Sequence, residues 1–319
     1  MQFIKPSFEI LPQDKGLDGI YRQIEIAGRT CYKSNDKASN NSAEAFTQRM
    51  VDSGHGAMCE HGTIYLFLPF VNGNEHYHLA QKYEGNKYSY VKVRNGHFCF
   101  NDNGYYVTTN YRVLVENNWL DDLKYLSEPK DYHEKRVTVR FHMDRIGSQS
   151  CTRHRPMSFA QESTRYVNYS KDRFGNEINI SIPTWTNEKE VQDSFDNKMV
   201  MLDIYYNFLN DNYGIKQDDV DNNIINPIFY WLAANEFSEW CYMKLVECGL
   251  RAEQARAVLP VGIDSEIIIT GSIRDWKHFF NLRHFGTTGK PHPDIQEIAT
   301  GLYNEFIKLG YIKENEGTK

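Results

Sequence analysis

The amino-acid sequence predicts an α+β fold class, and three patterns support this prediction. Apolar residues recur at helical spacing near the N-terminus and again along the last third of the chain. Two runs of β-branched and aromatic residues, at 63–70 and 136–143, are typical of buried strands. The sequence contains neither a GxGxxG nor a GxxxxGKS/T motif, which argues against a Rossmann or P-loop domain.

The N-terminal elements are predicted to be two helices and a strand. The first helix covers residues 17–33, whose apolar side chains share one face. Ser42 is expected to cap a second helix, which ends at Gly54. Residues 63–70, with the sequence TIYLFLPF, then form a buried strand.

Residues 71–136 are predicted to be a β-hairpin-rich insertion. Asn-Gly pairs separate the runs YSYVKV, HFCF and YYVTT, and such pairs favour type I′ turns because both central residues need positive φ. A short helical piece is expected near 119–126. The tyrosines of these hairpins would suit a subunit interface or a lid. Residues 1–319 then form a single domain that this insertion enlarges.

Two further strands and several helices are predicted after the insertion. The strands cover 136–143 and 264–270. Ser272 and Asp275 fit a capping box that opens a helix. The other helices are expected at about 187–211, at 227–248 before Gly249, at 251–258 before Pro260, and around Ile295, Ile298, Leu302 and Phe306.

Composition and charge narrow the function classes. The chain has 319 residues, of which 40% are hydrophobic, so it can bury a core and is not a disordered tail. It has 36 Lys and Arg against 42 Asp and Glu, a net charge of −6, which argues against nucleic acid as a partner. No run reaches the roughly 18 apolar residues that span a bilayer, and the N-terminus has no signal-peptide pattern. We therefore expect a soluble, cytoplasmic protein with no membrane partner.

The cysteines form neither a metal nor a disulfide framework. The chain has 6 of them, scattered without a CxxC motif, so reduced and mostly buried thiols are expected. His55, Cys59 and His61 are close in sequence, but no second pair completes a four-ligand zinc site. No metal is therefore expected.

The most informative segment is 152–166, with the sequence TRHRPMSFAQESTRY. The guanidinium groups of Arg153, Arg155 and Arg165 remain charged at any working pH, and their fork matches phosphate or carboxylate oxygens. Glu162 is the only acidic residue within the segment. The pattern predicts an anion site for a flat, phosphorylated ligand. The alternative is a solvated loop whose arginines pair with acids from distant sequence.

A second set of arginines lies in the C-terminal part. Arg256 stands within RAEQARAVLP, before a proline. Arg274 and Arg283 are nine residues apart in one helix, which is about two and a half turns. His278, four residues after Arg274, shares the side of Arg274. These residues extend the predicted anion site.

Together, these segments resemble the flavin-dependent thymidylate synthases. The sequence RHRPMSFAQES has the family's signature, RHR followed by seven residues and a serine. Further segments resemble the family in the same order along the chain: SGHGAMCEH at 53–61, EQARAVLP at 253–260 and SIRDWKHFFNLR at 272–283. The resemblance runs from about residue 17 to 310, with the insertion as an interruption. It implies one catalytic domain with a mixed β-sheet flanked by helices.

The resemblance also implies an activity and its partners. Members of the family convert dUMP to dTMP, taking the methylene from 5,10-methylenetetrahydrofolate and the hydride from reduced FAD, which NADPH recharges. The resemblance implies a homotetramer in which several subunits build each active site. The partners would be dUMP, folate and other copies of this chain.

The resemblance assigns site residues position by position. Arg283, His55 and Arg153 are the expected catalytic residues. Arg283 matches the position against the uracil edge, where a cation favours the N3-deprotonated base. The dUMP-binding positions are Ser150, Arg153, Gln161, Ser163, Arg165, Arg256 and Arg283. The FAD-binding positions are Arg153, His154, Arg155, Gln161, Ser272, Arg274 and His278, and the positions near folate are His55 and Tyr166.

A few positions depart from the family pattern or could mislead. Ala160-Gln161 stands where the family usually has Asn-Glu, so an amide replaces a carboxylate. Ala57 replaces a usual Thr or Ser and removes a hydroxyl from the flavin region. Cys151 lies two residues before Arg153, but hydride and methylene transfer belong to the cofactors and need no protein nucleophile. Cys151 is therefore expected to be a bystander.

Two alternative functions remain open. Water could quench the methylene adduct before the hydride arrives, which would give a flavin-dependent dUMP hydroxymethylase. A non-catalytic nucleotide- or RNA-binding module could also use a surface rich in arginine and tyrosine. Nothing in the sequence separates the methyl product from the hydroxymethyl product.

Overall fold

The structure, a computed structural model, describes most of the chain. The described residues are 1–39, 41–70, 75–95, 102–197, 199–200, 202–203, 205–206 and 227–314. The predicted strand HFCF, with Gly96 before it, lies outside these residues, as do residues 207–211 of the helix expected at 187–211. That expected helix is not continuous, because its first part ends at Asp196 and the Asn197 backbone leaves the helical conformation.

The described chain contains helices and mainly antiparallel sheets, and this confirms the α+β class. The strands are β1 (Gln2–Ile4), β2 (Ser7–Leu11), β3 (Thr63–Pro69), β4 (Tyr90–Arg94), β5 (Gly104–Asn110), β6 (Arg136–Asp144), β7 (Ser158–Gln161), β8 (Asn179–Ser181) and β9 (Asp264–Ser272). The helices are α1 (Gly16–Tyr32), α2 (Ala43–Asp52), α3 (Gly56–Cys59), α4 (Glu75–Glu84), α5 (Tyr111–Glu116), α6 (Arg145–Cys151), α7 (Glu188–Asp196), α8 (Pro227–Glu247), α9 (Ala252–Ala255), α10 (Ile273–Arg283) and α11 (Pro293–Lys308). Short 3₁₀ turns occupy Asn35–Lys37, Leu120–Tyr125, Asp172–Phe174 and Arg256–Val258.

The central sheet contains four antiparallel strands in the order β2-β6-β9-β7. Its side chains alternate between two faces, as a pleated strand requires. On one face, Phe141 and Ile267 pack with Trp276 of α10 and Phe306 of α11. On the other face, Ile268 packs with residues of β7 and α1. Helices therefore cover both faces of this sheet.

A second sheet, in the order β3-β5-β4, is also antiparallel. Leu66 of β3 pairs with Val107 of β5, and both are fully buried. Tyr83 of α4, a helix that the sequence analysis did not predict, packs on the same cluster. The strands of the 71–136 segment thus extend a sheet that begins with β3. The helical piece expected near 119–126 is the 3₁₀ turn Leu120–Tyr125.

A short parallel pair, β1 and β8, forms a third sheet. The strands thus divide into separate sheets, and within the described residues only this pair is parallel. The predicted single-domain organisation and the limits of the insertion stay predictions. No helix in the described part of the chain has the length and apolar composition to cross a membrane.

The helix caps show where local sequence signals succeed and fail. The capping box at α10 is confirmed, because Ser272 and Asp275 each accept a hydrogen bond from the other's backbone N–H. The prediction that the Ser42 hydroxyl caps α2 is wrong. Ser42 adopts helical backbone angles, and its hydroxyl donates instead to the buried carboxylate of Glu25 at 2.8 Å. The stronger, charged acceptor from α1 thus replaces the local cap.

Candidate functional site

The predicted site segment, 152–166, begins directly after α6 and continues through β7. The carboxylate of Asp144 accepts a hydrogen bond from the Gly147 N–H at 2.7 Å and thereby caps α6. The following turn buries His154 but leaves Arg153 and Arg155 exposed. The RHR motif therefore presents two cations to solvent and one imidazole to the interior.

Arg283, at the end of α10, joins the 272–283 segment to the RHR segment and to the end of α6. Its Nε donates to His154 Nε2 at 3.3 Å, and its Nη2 donates to the Ser150 carbonyl at 2.6 Å. The His154 ring also lies 5.1 Å from the Phe279 ring and 5.6 Å from the His278 ring, measured between centroids. The structure therefore brings together four of the predicted site residues, Ser150, His154, His278 and Arg283, and their roles toward nucleotide and flavin stay predictions.

The electrostatics of this cluster keep His154 neutral. Burial, together with the nearby charges of Arg283 and His278, lowers the pKa of His154 to about 4. Because Nε2 accepts from Arg283, the ring proton belongs on Nδ1. Within the described chain, this buried Nδ1 has no hydrogen-bond partner. Burial and the proximity of Arg153 also lower the pKa of Arg283, but a guanidinium remains charged at neutral pH.

A cavity of about 370 Å³ opens on the other side of α6. We call it the α6 cavity. Its polar lining consists of Arg145 and Gln149 of α6, Thr164 and Arg256. Its apolar lining is Ile146, Ala257, Leu259, Pro260, Val261 and Ile263. The cavity thus places the predicted Arg256 beside Thr164, which stands between the predicted residues Ser163 and Arg165.

His55 and Tyr166, the two positions expected near folate, are linked through Tyr32. The Tyr32 hydroxyl lies 3.3 Å from His55 Nδ1, and the Tyr32 ring centroid lies 5.1 Å from that of Tyr166. Tyr166 is exposed, with 51% of its surface accessible. The guanidinium of Arg165 lies over the Tyr166 ring at 5.3 Å. These residues form an aromatic edge that faces solvent. His55 and Tyr166 were predicted site positions, whereas Tyr32 was not.

Acidic partners from distant sequence neutralise part of the cluster. Arg165 donates to Glu253 of α9 at 3.0 Å. Glu162 does not pair with the motif arginines; it is buried, accepts from the Tyr169 hydroxyl at 2.8 Å and lies 3.6 Å from Lys33 Nζ. Arg165 is therefore paired through its Nε with an acid from distant sequence, as the alternative interpretation expected for single arginines.

Other predicted residues have structural contacts of their own. The Gln161 amide donates to the hydroxyls of Ser148 and Ser265, both at 2.8 Å. The Ser272 hydroxyl is buried at the start of α10 and donates to Asp275. Arg274 lies over the Tyr90 ring of β4 at 5.1 Å. Its described contact is thus with the second sheet, and its role toward flavin stays a prediction.

Cys151 is a poor candidate for a nucleophile. It is fully buried, and this burial raises the pKa of its thiol to about 12. The reactive form of a cysteine is the thiolate, so this side chain is inert at neutral pH. Its Sγ packs 4.0 Å from the sulfur of Met143, as expected for a core residue.

Arg145 and Gln149 line the α6 cavity but were not among the predicted site residues. They lie four residues apart, so they share one face of α6, whereas Ser148 and Cys151 face the interior. A helical projection of 145–151 would have separated these faces. The cavity itself depends on Arg256 and Val261, which no local pattern brings near α6.

Comparisons with known proteins identify one family model and several relatives that this chain matches. The family model for the thymidylate synthase complementing protein matches residues 133–309. The flavin-dependent thymidylate synthase of Corynebacterium efficiens is 27% identical over 291 residues, which cover 91% of this chain and 75% of that protein. A probable flavin-dependent thymidylate synthase of Paramecium bursaria Chlorella virus 1 is 39% identical over 69 residues, 21% of this chain and 32% of that protein.

Coverage and structural similarity are more limited for other relatives. The flavin-dependent thymidylate synthase of Geobacter sulfurreducens is 26% identical over 44% of each chain. The chain thus spans less than half the length of the first curated relatives that it matches. A crystal structure of the UMP/dUMP methylase PolB from Streptomyces cacaoi, bound with 5-Br dUMP, aligns with a TM-score of 0.41 at 15% identity. That alignment covers 97% of this chain and 93% of PolB.

The family assignment rests on the extent of the family match. The matched region, 133–309, contains β6, the RHR segment, α9 and α10. It covers more than half of the chain and includes the contact between Arg283 and His154. This chain belongs to the thymidylate synthase complementing protein family.

Proposed function

We propose that this protein is a flavin-dependent thymidylate synthase. It converts dUMP to dTMP, with 5,10-methylenetetrahydrofolate as carbon donor and FAD, reduced by NADPH, as hydride carrier. It acts in the cytoplasm as a homotetramer. The observation that supports this proposal best is the Arg283–His154–Ser150 contact, because it joins two segments, 272–283 and the RHR segment, whose sequences resemble the family.

The donor groups of the RHR region fit a flavin dinucleotide. A buried polar group without a partner is costly, and the His154 Nδ1–H is such a group. The exposed guanidiniums of Arg153 and Arg155 suit the pyrophosphate. Gln161, Ser272, Arg274 and His278 are the further residues proposed to hold the cofactor. When bound, the flavin supplies hydride-transfer chemistry that amino-acid side chains lack.

The chain's own residues would bind and polarise the nucleotide. Ser150, Ser163, Arg165 and Arg256 are proposed to hold dUMP near its phosphate. Arg283 would stabilise the N3-deprotonated uracil, because an opposite charge favours the ionised form. Its hydrogen bonds to His154 and Ser150 restrict the guanidinium to one orientation.

The folate would stack on the aromatic edge at His55, Tyr32 and Tyr166. Tyr166 and Arg165 are both exposed, which is consistent with sites that other subunits complete. We propose that the 71–136 segment contributes a subunit interface or lid. Gel filtration after its deletion tests this role, and an unchanged oligomer with normal turnover would contradict it.

The experiment that tests the function starts with the absorption spectrum of the purified protein. Bound flavin should appear, and NADPH oxidation with methylenetetrahydrofolate should depend on dUMP. Release of tritium from dUMP labelled at C5 should accompany turnover. A colourless protein that releases no tritium would refute the proposal.

Two results would point to the alternative functions. A product mass that corresponds to hydroxymethylated dUMP would identify a hydroxymethylase. A colourless protein whose affinity for RNA falls steeply with salt would identify a binding module.

A further inference from the structure

The α6 cavity contains a cation that the family motifs do not assign. Arg145 opens α6 directly after β6, outside the RHR signature. Its backbone N–H donates to the Val261 carbonyl at 3.2 Å, and this hydrogen bond connects the start of α6 to another residue of the cavity lining. Its side chain lines the cavity together with Arg256.

The charge in this cavity is not neutralised by its own walls. The described lining residues include the guanidiniums of Arg145 and Arg256 but no carboxylate. Glu253, close to Arg256 along the chain, is already engaged by Arg165 at 3.0 Å and Arg251 at 2.8 Å. Arg145 Nη1 is buried and, among the described residues, has no hydrogen-bond partner. Two cations that share a cavity repel each other unless an anion lies between them.

We propose that Arg145 is an additional phosphate-binding residue, which with Arg256 and Thr164 selects ligands that have a phosphate monoester. A phosphate monoester has a charge near −2 at neutral pH and three acceptor oxygens, so it matches two guanidiniums and one hydroxyl. The remaining apolar wall, which includes Ile146 and Leu259, suits the uncharged part of a nucleotide. The inference rests on the proposed function insofar as the phosphate belongs to dUMP.

The test compares nucleotide binding with nucleoside binding in the full-length protein. Isothermal titration calorimetry with dUMP and with deoxyuridine is performed on wild type, Arg145→Gln and Arg145→Lys. Arg145→Gln should weaken dUMP binding by about tenfold or more and leave deoxyuridine binding unchanged. Arg145→Lys should lose less, because it keeps the charge but not the fork. Arg22→Gln, which removes an exposed arginine paired with Asp14, is the charge-matched control and should change neither affinity.

Several outcomes would overturn the inference. Unchanged dUMP affinity in Arg145→Gln contradicts it, and so does an equal loss for deoxyuridine, which indicates a general defect of the fold. Thermal unfolding of both Arg145 variants identifies that defect directly. A wild type that binds neither dUMP nor inorganic phosphate also contradicts it. If dUMP binding depends on Arg145 but no flavin binds and no turnover occurs, the phosphate site stands and the proposed function fails.

Discussion

Two arginine-lined cavities of this protein differ in how their charges are balanced. The first, which we call the α1 cavity, has a volume of about 460 Å³ and is lined by Arg22, Glu25, Ile26, Arg29, Asn35, Ala38, Ser39 and Arg140. The second is the α6 cavity, of about 370 Å³. Both would count as arginine-rich sites if only residue types were considered.

In the α1 cavity, the arginines already have carboxylate partners. Arg29 donates from Nε and Nη2 to Glu25 at 2.8 and 2.7 Å, and both side chains are buried. Arg140 lies 2.8 Å from Glu9 and 2.9 Å from Glu266. In the α6 cavity, the described lining has no such partner. The number of arginines in a cavity is therefore a weak sign of function. Whether the lining already contains carboxylate partners for them is a better criterion for distinguishing a structural network from a candidate ligand site.

The largest expected effect is on catalysis, from a change in the cluster next to the α6 cavity. Arg283→Ala should lower dUMP-dependent turnover by about 10²- to 10³-fold, because it removes the cation proposed to stabilise the ionised uracil. The fold should persist, since circular dichroism and the unfolding transition depend mainly on the sheet and its helices. Tritium release measures the turnover. Unchanged activity would remove Arg283 from the site.

The next effect is on stability, from the α1 cavity. Glu25→Gln should lower the free energy of unfolding by about 3 kcal/mol, because the buried Arg29 loses its counter-charge. Arg256→Gln is the matched change in the α6 cavity and should alter stability by less than about 0.5 kcal/mol. Urea denaturation measures both. Equal losses for the two variants would break the distinction between the cavities.

A smaller effect concerns the pH dependence of stability. The pKa of His154 is about 4 in the folded state against 6.5 for a free imidazole, so the folded chain binds fewer protons between these values. The stability that the neutral His154 ring contributes to the folded state is therefore fully present above pH 6.5 and is lost as the pH falls toward 4. Between pH 7 and pH 5, wild type should lose about 2 kcal/mol more than His154→Gln. Parallel stability curves for the two proteins would show that the imidazole is not held neutral.

The smallest effect is expected at Cys151, which lies beside the same cluster. Cys151→Ser should keep turnover within about threefold of wild type, because a buried thiol with a raised pKa supplies no nucleophile. Cys151→Ala is the control for the buried hydroxyl that serine introduces. Complete loss of activity in both variants, with the fold intact, would assign Cys151 a chemical role.

Much of the fold was predictable because local patterns and burial agree. The expected strands at 63–70, 136–143 and 264–270 are confirmed as β3, β6 and β9, and most of their side chains are buried on both faces of the sheet. The capping box of α10 was also predictable, since both partners lie within one turn. The Ser42 cap failed because a buried acid from another helix offered a stronger acceptor.

Residue types and local spacing were enough to predict the α+β class, to locate the RHR segment and to indicate residues that suit a phosphorylated ligand. Long-range contacts determine which of those residues meet. They join Arg283 to His154, pair Arg165 with Glu253 and bring Arg145 and Arg256 into the lining of one cavity. The physical reason is that a cation's role depends on the nearest opposite charge and on its burial. Both depend on contacts between residues that are far apart in sequence.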